Sequence, residues 1–173
     1  MLGEVRVRKR VDTGFGELGF ETPDAAHVPG IFTSDNGGYI NYAGGFENIS
    51  SNGPLRGQKT EMFEGGHRVP AMIRWPGRIK PAVSHQTAMT FDLTRTILPL
   101  AGVQANRQDG LDLGPVLFNG KKLGERSLFW RMADNKAVRR GQWKLVWLKG
   151  REPMLFDLAS DIGEKQDLAP RKP

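Results

Sequence analysis

Cysteine is absent from all 173 residues. That excludes disulfides, thiolate metal sites and a cysteine nucleophile from the chemistry these residues can perform. Long apolar runs are missing as well: no stretch approaches the ~20 residues a membrane-spanning helix requires. Residues 1–11 carry positive charge with no apolar run behind them, so they do not read as a signal peptide. There is no internal repeat and no concentrated basic helix. Lys and Arg number 25 against 19 Asp and Glu, a formal charge of +6 with a pI near 9.8. The basic residues are nevertheless scattered, with Arg6, Arg8, Lys9 and Arg10 early, Arg139 and Arg140 later, and Arg171 and Lys172 last. Nucleic-acid binders gather such charge on one face or interleave it with stacking aromatics, so nucleic acid is not an expected partner. The balance reads as a solvated surface with mild attraction for anions.

What is present points to a globular, loop-rich chain. Apolar residues make up 38%, enough to bury a core, and the length suits one ordinary domain. The 22 Gly and 11 Pro predict chemistry carried on turns that a rigid sheet holds in place.

Residues 5–11 fit a strand or a helix start, after which Gly14, Gly16 and Gly19 interrupt any helix. Residues 31–34 form a β-prone run, expected to be a buried strand, that stops at Asp35-Asn36-Gly37-Gly38 in a tight turn. Residues 39–68 read as one long aperiodic loop, and a loop of that length is functional or disordered. Residues 69–75 predict a strand stopped by Pro76-Gly77. Residues 87–101 predict a helix with Leu93, Ile97, Leu98 and Leu100 on its apolar face, shortened or kinked by Pro99 and capped by Gly102. Then the pattern changes. Residues 127–132 are strand-like, 136–140 and 143–148 flank Gly141-Gln142 as a hairpin, and 154–158 make a last strand. Strands in succession predict a small antiparallel sheet with the helix packed beside it.

Two constellations can carry chemistry. Asp35 and Asn36, side by side at a strand's C-terminal end, offer hard oxygens to Ca²⁺ or Mg²⁺; an ordinary turn in which both bond their own backbone is the plainer alternative. The segment Asn52-Gly53-Pro54-Leu55-Arg56-Gly57-Gln58-Lys59, followed by Glu64-Gly65-Gly66-His67-Arg68-Val69-Pro70, combines glycines that permit close approach with Lys59 and Arg68, which can neutralise an oxyanion. The alternative there is a solvated basic loop with Arg68 in a salt bridge to Glu64. Gly57-Gln58-Lys59 does not satisfy the P-loop pattern.

In order, these segments resemble the arylsulfatase family. The run Phe-Thr-Ser-Asp-Asn-Gly-Gly at 32–38 is followed by Asn-Gly-Pro-Leu-Arg-Gly-x-Lys at 52–59, Glu-Gly-Gly-x-Arg-Val-Pro at 64–70 and Arg-Trp-Pro-Gly-Arg-Ile at 74–79. The likeness continues through Asp92-Leu93, Leu100-Ala101-Gly102-Val103, Asp109-Gly110-Leu111-Asp112-Leu113, Leu128-Phe129-Trp130, Ala137-Val138-Arg139, Trp143-Lys144-Leu145-Val146 and Leu155-Phe156-Asp157-Leu158. It covers about residues 31–169.

The resemblance implies an α/β fold of the alkaline-phosphatase-like superfamily: a large mixed sheet flanked by helices, with a small C-terminal antiparallel sheet packed on a helix. Residues 31–118 would be the C-terminal part of the catalytic domain and 119–173 the small subdomain and tail. Residues 1–30 stand as a divergent or remnant segment, because Pro29 and Gly30 fall where the family runs a strand. It further implies sulfate-ester hydrolysis, in which a Cys or Ser of a Cys/Ser-x-Pro-x-Arg motif matures to formylglycine and a divalent cation, usually Ca²⁺, stabilises charge. By motif match Asp35 and Asn36 would be cation ligands, Lys59 would hold sulfate and assist catalysis, and His67 is a weaker substrate-binding candidate at a variable position. Glu64 and Arg68 would order the loop.

This sequence departs from the family pattern in its nucleophile. It has no Cys and no Ser-x-Pro-x-Arg, and Ser51-Asn52-Gly53-Pro54 has the wrong spacing. The early Asp-Asp pair of the metal site is absent too. Ca²⁺ takes about 6–8 oxygens, so two ligands make an incomplete site. The expectation is the C-terminal portion of a sulfatase, inactive alone, whose partners are a sulfate ester, with sulfated carbohydrate among the candidates, and an N-terminal half. Other readings are a non-catalytic module binding anions or sulfated glycans, and a related phosphoester hydrolase fragment. Family members are usually periplasmic, secreted or lysosomal.

Overall fold

The computed structural model describes residues 2–7 (as backbone), 28–42, 44–45, 47–104 and 109–171. Gly14, Gly16 and Gly19 therefore lie outside the described residues. The chain forms two compact units, Met1–Ser34 with Pro70–Leu123, and Asp35–Val69 with Gly124–Pro173. Among the described residues no helix is long and apolar enough to cross a membrane.

The first unit holds a four-stranded sheet of β1 (Leu2–Val7), β2 (Gly30–Thr33), β3 (Val69–Arg74) and β4 (Ala82–Ser84) in the order β2-β3-β1-β4. β2 runs antiparallel to β3 with Ile31 opposite Ile73 and Thr33 opposite Ala71. The 31–34 run was expected to be buried; instead β2 is half-buried, with Phe32 41% exposed, and among the described residues it is an edge strand of this sheet. That position accommodates Pro29, since a strand can start immediately after a proline and an edge tolerates its missing N–H. β3 alternates as period-2 geometry demands, burying Ala71 and Ile73 while Pro70 and Arg74 face out.

After a one-turn helix α1 (Glu64–His67) in the second unit, helix α2 (Thr90–Leu100) realises the predicted helix and ends one residue after Pro99. The expected apolar face of α2 is met only in part: Leu93 and Leu98 are half-buried, Ile97 and Leu100 are exposed at 37% and 40%, and the fully buried positions are Asp92 and Thr96. The reason is hydrogen bonding. Asp92 accepts from the Met89 N–H at 2.7 Å and the Leu111 N–H at 2.8 Å. Thr96 Oγ1 donates to the Asp92 carbonyl at 2.7 Å and accepts from the Leu113 N–H at 2.8 Å. These two side chains tie the helix to the following loop. Helix α3 (Gly114–Asn119) starts with Pro115 in its first turn and ends at Gly120 in the left-handed region (φ 62°), the asymmetry expected of helix ends.

The second unit is built on β5 (Ser127–Met132), β6 (Asn135–Arg140), β7 (Trp143–Trp147) and β8 (Met154–Asp157), antiparallel and in sequential order. All four runs that read as strands are paired in this sheet. Gly141 makes the β6–β7 turn with φ 56°, as its position between two runs predicted. Packed on this sheet is α1 (Glu64–His67), a single turn inside the segment expected to be aperiodic. Met62 and Phe63, just before it, join Ala137, Val146, Phe156 and Leu158 in one core, with the Phe63 and Phe156 rings edge-on at 6.2 Å.

Candidate functional site

Asp35, Asn36, Lys59 and His67 all lie in the second unit, the first three on loops and His67 at the end of α1. Backbone hydrogen bonds do the joining. The Gly37 N–H donates to the Gly66 carbonyl at 3.0 Å, and the Lys59 N–H donates to the Gly38 carbonyl at 3.2 Å. The turn carrying Asp35 and Asn36 is thus stitched to the residue before His67 on one side and to Lys59 itself on the other.

The close approach explains the glycines. A Cβ on Gly37 would run into the Gly65 carbonyl, and one on Gly65 into the carbonyls of Gly57 and Arg56. These neighbours are backbone and cannot swing aside.

Asn52 and Gln58 supply the remaining bonds. The Asn52 carboxamide accepts from the Gly38 N–H at 3.0 Å and donates to the carbonyls of Gly38 at 2.8 Å and Gly57 at 3.1 Å. Gln58 Oε1 accepts from the N–H groups of Ile40 at 2.8 Å and Asn41 at 2.9 Å. Both residues use side-chain amides where a sheet would use a neighbouring strand, because the loop has no such neighbour. Lys59 is half-buried and its Nζ lies 5.4 Å from the Tyr39 ring centroid. Asp35 is exposed and Asn36 half-buried.

His67 is in a different environment. It is 8% exposed, its ring stacks on Trp130 at 4.4 Å and 14°, and its Nε2 is 3.2 Å from Lys144 Nζ. An ammonium has only donors, so the facing ring nitrogen accepts. Burial, with Lys144 adding to it and Glu64 opposing it, holds His67 down at about 4; the ring is neutral at pH 7.

Behind His67 lies a charged cluster that sequence reasoning missed. Lys144 Nζ, fully buried, sits 3.0 Å from Glu64 Oε1 and 2.9 Å from Glu164 Oε1. Arg139 reaches Glu64 Oε2 at 3.2 Å, and Arg68 reaches it at 3.6 Å, so the anticipated Glu64–Arg68 pair is present within a larger set. Burial pushes the Glu64 carboxyl up, but His67, Lys144 and Arg139 outweigh it and hold the group at about 2. Burial raises Glu164, with Lys144 pulling the other way. Arg56 ties the same region to its loop, donating to the Glu164 carbonyl at 2.9 Å and lying 3.8 Å over the Phe63 ring.

A divalent cation can be tested against these residues. Asp35 and Asn36 present the oxygen chemistry of a hard cation at the mouth of the turn, which fits. Among the described residues no group of three or more His, Cys, Asp or Glu is placed to hold a metal, so the donors here amount to a partial set against the ~6–8 that Ca²⁺ takes.

Comparisons with known proteins bear on the family and the fold. A family model described as Sulfatase matches residues 31–103, a span that contains all four candidate residues. N-acetylgalactosamine-6-sulfatase of Canis lupus familiaris is 44% identical over 122 residues, covering 66% of this chain and 22% of the relative. Arylsulfatase A of Homo sapiens is 32% identical over 186 residues, covering 90% of this chain and 35% of the relative. Among solved structures, the PsFucS1 sulfatase from Pseudoalteromonas sp. superposes with a TM-score of 0.70 at 25% identity, over 91% of this chain and 35% of that one. The chain spans roughly a fifth to a third of the length of these relatives. It belongs to the sulfatase family and has the α/β sulfatase fold of its C-terminal region, ending in a small antiparallel sheet.

Proposed function

We propose that these 173 residues supply the cation-holding and sulfate-holding side of a sulfatase active site, with the nucleophile coming from outside them. The observation that carries this is the stitching of the Asp35-Asn36 turn to Lys59 through Gly38. It brings a carboxylate, an amide oxygen and an ammonium onto one short stretch of fixed backbone. Asp35 and Asn36 would hold Ca²⁺ or Mg²⁺, which when bound neutralises charge on the sulfate oxygens. Lys59 would hold a sulfate oxygen and offset the charge that grows as the ester bond breaks. His67, neutral and occupied by Trp130 and Lys144, serves this reading better as support for the loop than as a substrate contact.

Two features of the first unit favour a place within a larger fold. β2 is a sheet edge with Phe32 exposed, and α2 exposes Phe91, Ile97 and Leu100; apolar surface of this kind marks a contact face. Division of the chain into a catalytic-domain part at 31–118 and a subdomain at 119–173 belongs to the same proposal. A sulfated sugar is the favoured substrate class, because the relative at 44% identity is named for a sugar sulfate.

The test is complementation. The chain alone should not turn over an aryl sulfate. Paired with a matured N-terminal sulfatase half it should, and Lys59→Ala should then lower kcat by about 100-fold or more. An active pair indifferent to Lys59→Ala would remove Lys59 from the site.

A further inference from the structure

The buried charges behind His67 connect, through hydrogen bonds of α1, to the loops that carry the proposed ligands. Lys144 projects from the inner face of β7 in register with Arg139 on β6 and Phe156 on β8. Its Nζ bridges Glu64 on α1 and Glu164 on the C-terminal segment. Glu164 closes the triangle: its Oε2 accepts the Glu64 N–H at 2.6 Å. To do so its backbone takes φ 51°, a left-handed conformation uncommon for a residue with a Cβ. A helix of one turn cannot hold itself together, so α1 has its position from this anchorage.

From α1 two routes run outward. The Gly66 carbonyl receives the Gly37 N–H at 3.0 Å, and the Gly65 N–H donates to the Arg56 carbonyl at 2.7 Å. The first fixes the Asp35-Asn36 turn. The second fixes the loop that ends in Lys59, and Arg56 returns to Glu164 at 2.9 Å. Displacing either carboxylate would leave a buried charge uncompensated, which is strongly unfavourable.

We infer that Lys144, clamped between Glu64 and Glu164, is a positioning residue: it sets the placement of the Gly37 turn and the Lys59 loop without touching substrate or cation. The sulfate-site reading supplies the purpose of that placement, but the clamp itself is testable without it.

Amide hydrogen exchange on the ¹⁵N-labelled 173-residue chain reads the clamp directly. In Lys144→Met, exchange at the Gly37 and Lys59 amides should rise at least tenfold while the amides of β5 and β6 change less than threefold. Adding Glu164→Gln should slow Gly37 and Lys59 again, at least threefold relative to the single variant, because the amide oxygen still accepts the Glu64 N–H and the stranded carboxylate is gone. Unchanged exchange at Gly37 and Lys59 in Lys144→Met, or a rise shared equally by β5 and β6, overturns the clamp. Should Lys144→Met not fold, Glu164→Gln alone is decisive. It should raise exchange at Gly37 more than at β5 and β6, and no such difference overturns the inference. A titration of the unaltered chain with inorganic sulfate separates the two readings. Absence of any shift at Lys59 counts against sulfate binding there, and the exchange comparison still decides the clamp.

Discussion

Lowering the pH from 7.5 to 5 sets the unfolded chain's affinity for a proton against the burial of His67. Unfolded, the imidazole protonates near its ordinary 6.5; in the fold, burial and the Lys144 ammonium 3.2 Å away hold it down at about 4. Between those values the unfolded state binds the extra proton, so stability is complete above about 6.5 and falls as the pH falls toward 4. At about 1.4 kcal/mol per decade, the loss integrates to about 2 kcal/mol by pH 5 and about 3 by pH 4. The side chain is only 10% exposed, so solvent screening takes little from this figure. Glu64 acts in a separate window. Its carboxyl is held at about 2, so its stabilisation is present above about 4.5 and is lost as the pH falls through 2.

Urea unfolding of the chain and of His67→Gln at pH 7.5, 6 and 5 isolates the effect. Glutamine offers Lys144 an acceptor and does not titrate, while the other carboxylates are common to both proteins and cancel. The unaltered chain should lose about 2 kcal/mol more than the variant over this range. Parallel stability curves would refute the reasoning, because they would mean that the ring charges as easily in the fold as out of it.

Three further outcomes follow from other contacts. Gly37→Ala drives a Cβ into the Gly65 carbonyl and should cost about 1–3 kcal/mol in chemical denaturation, with loosened amides at Gly38 and Lys59. Thr96→Val keeps the shape of a buried side chain but strands the Leu113 N–H that Oγ1 now satisfies at 2.8 Å; about 1–3 kcal/mol should be lost by the same measurement. Lys149→Ala breaks a 2.7 Å pair with Asp134 in which both side chains are more than half exposed, and stability should move by less than about 1 kcal/mol.

Much of the fold was legible because its strands obey simple periodicity. Residues 127–132 are β5 as expected, and the glycine between two β-prone runs fixed the β6–β7 hairpin. The misreadings come from long-range bonds that no local pattern carries. On α2 the leucines at helical spacing looked like the buried face, whereas Asp92 and Thr96 are buried because the loop at 111–113 brings its N–H groups to them. The helical turn α1 was invisible for a similar reason: two of its four residues are glycine, a poor helix former, and its position depends on partners as far away as residue 164.

The site divides along the same line. Asp35, Asn36 and Lys59 were singled out by the order of motifs, and the structure joins the turn to the loop by bonds to glycine backbone. Gln58, by contrast, occupies a position the motif leaves open, yet its side chain orders two consecutive N–H groups beside the Asp35-Asn36 turn. Lys144 is the harder case. In the run Trp-Lys-Leu-Val-Trp, alternation puts Lys144 and Val146 on one face and both tryptophans with Leu145 on the other. Hydrophobicity alone would turn the tryptophans inward and the lysine to water. The opposite choice is stable only because two carboxylates, 80 residues before it and 20 residues after it, wait on the inner face. A buried cation is thus specified by the residues that neutralise it, and here those same residues fix the loops that carry the proposed ligands.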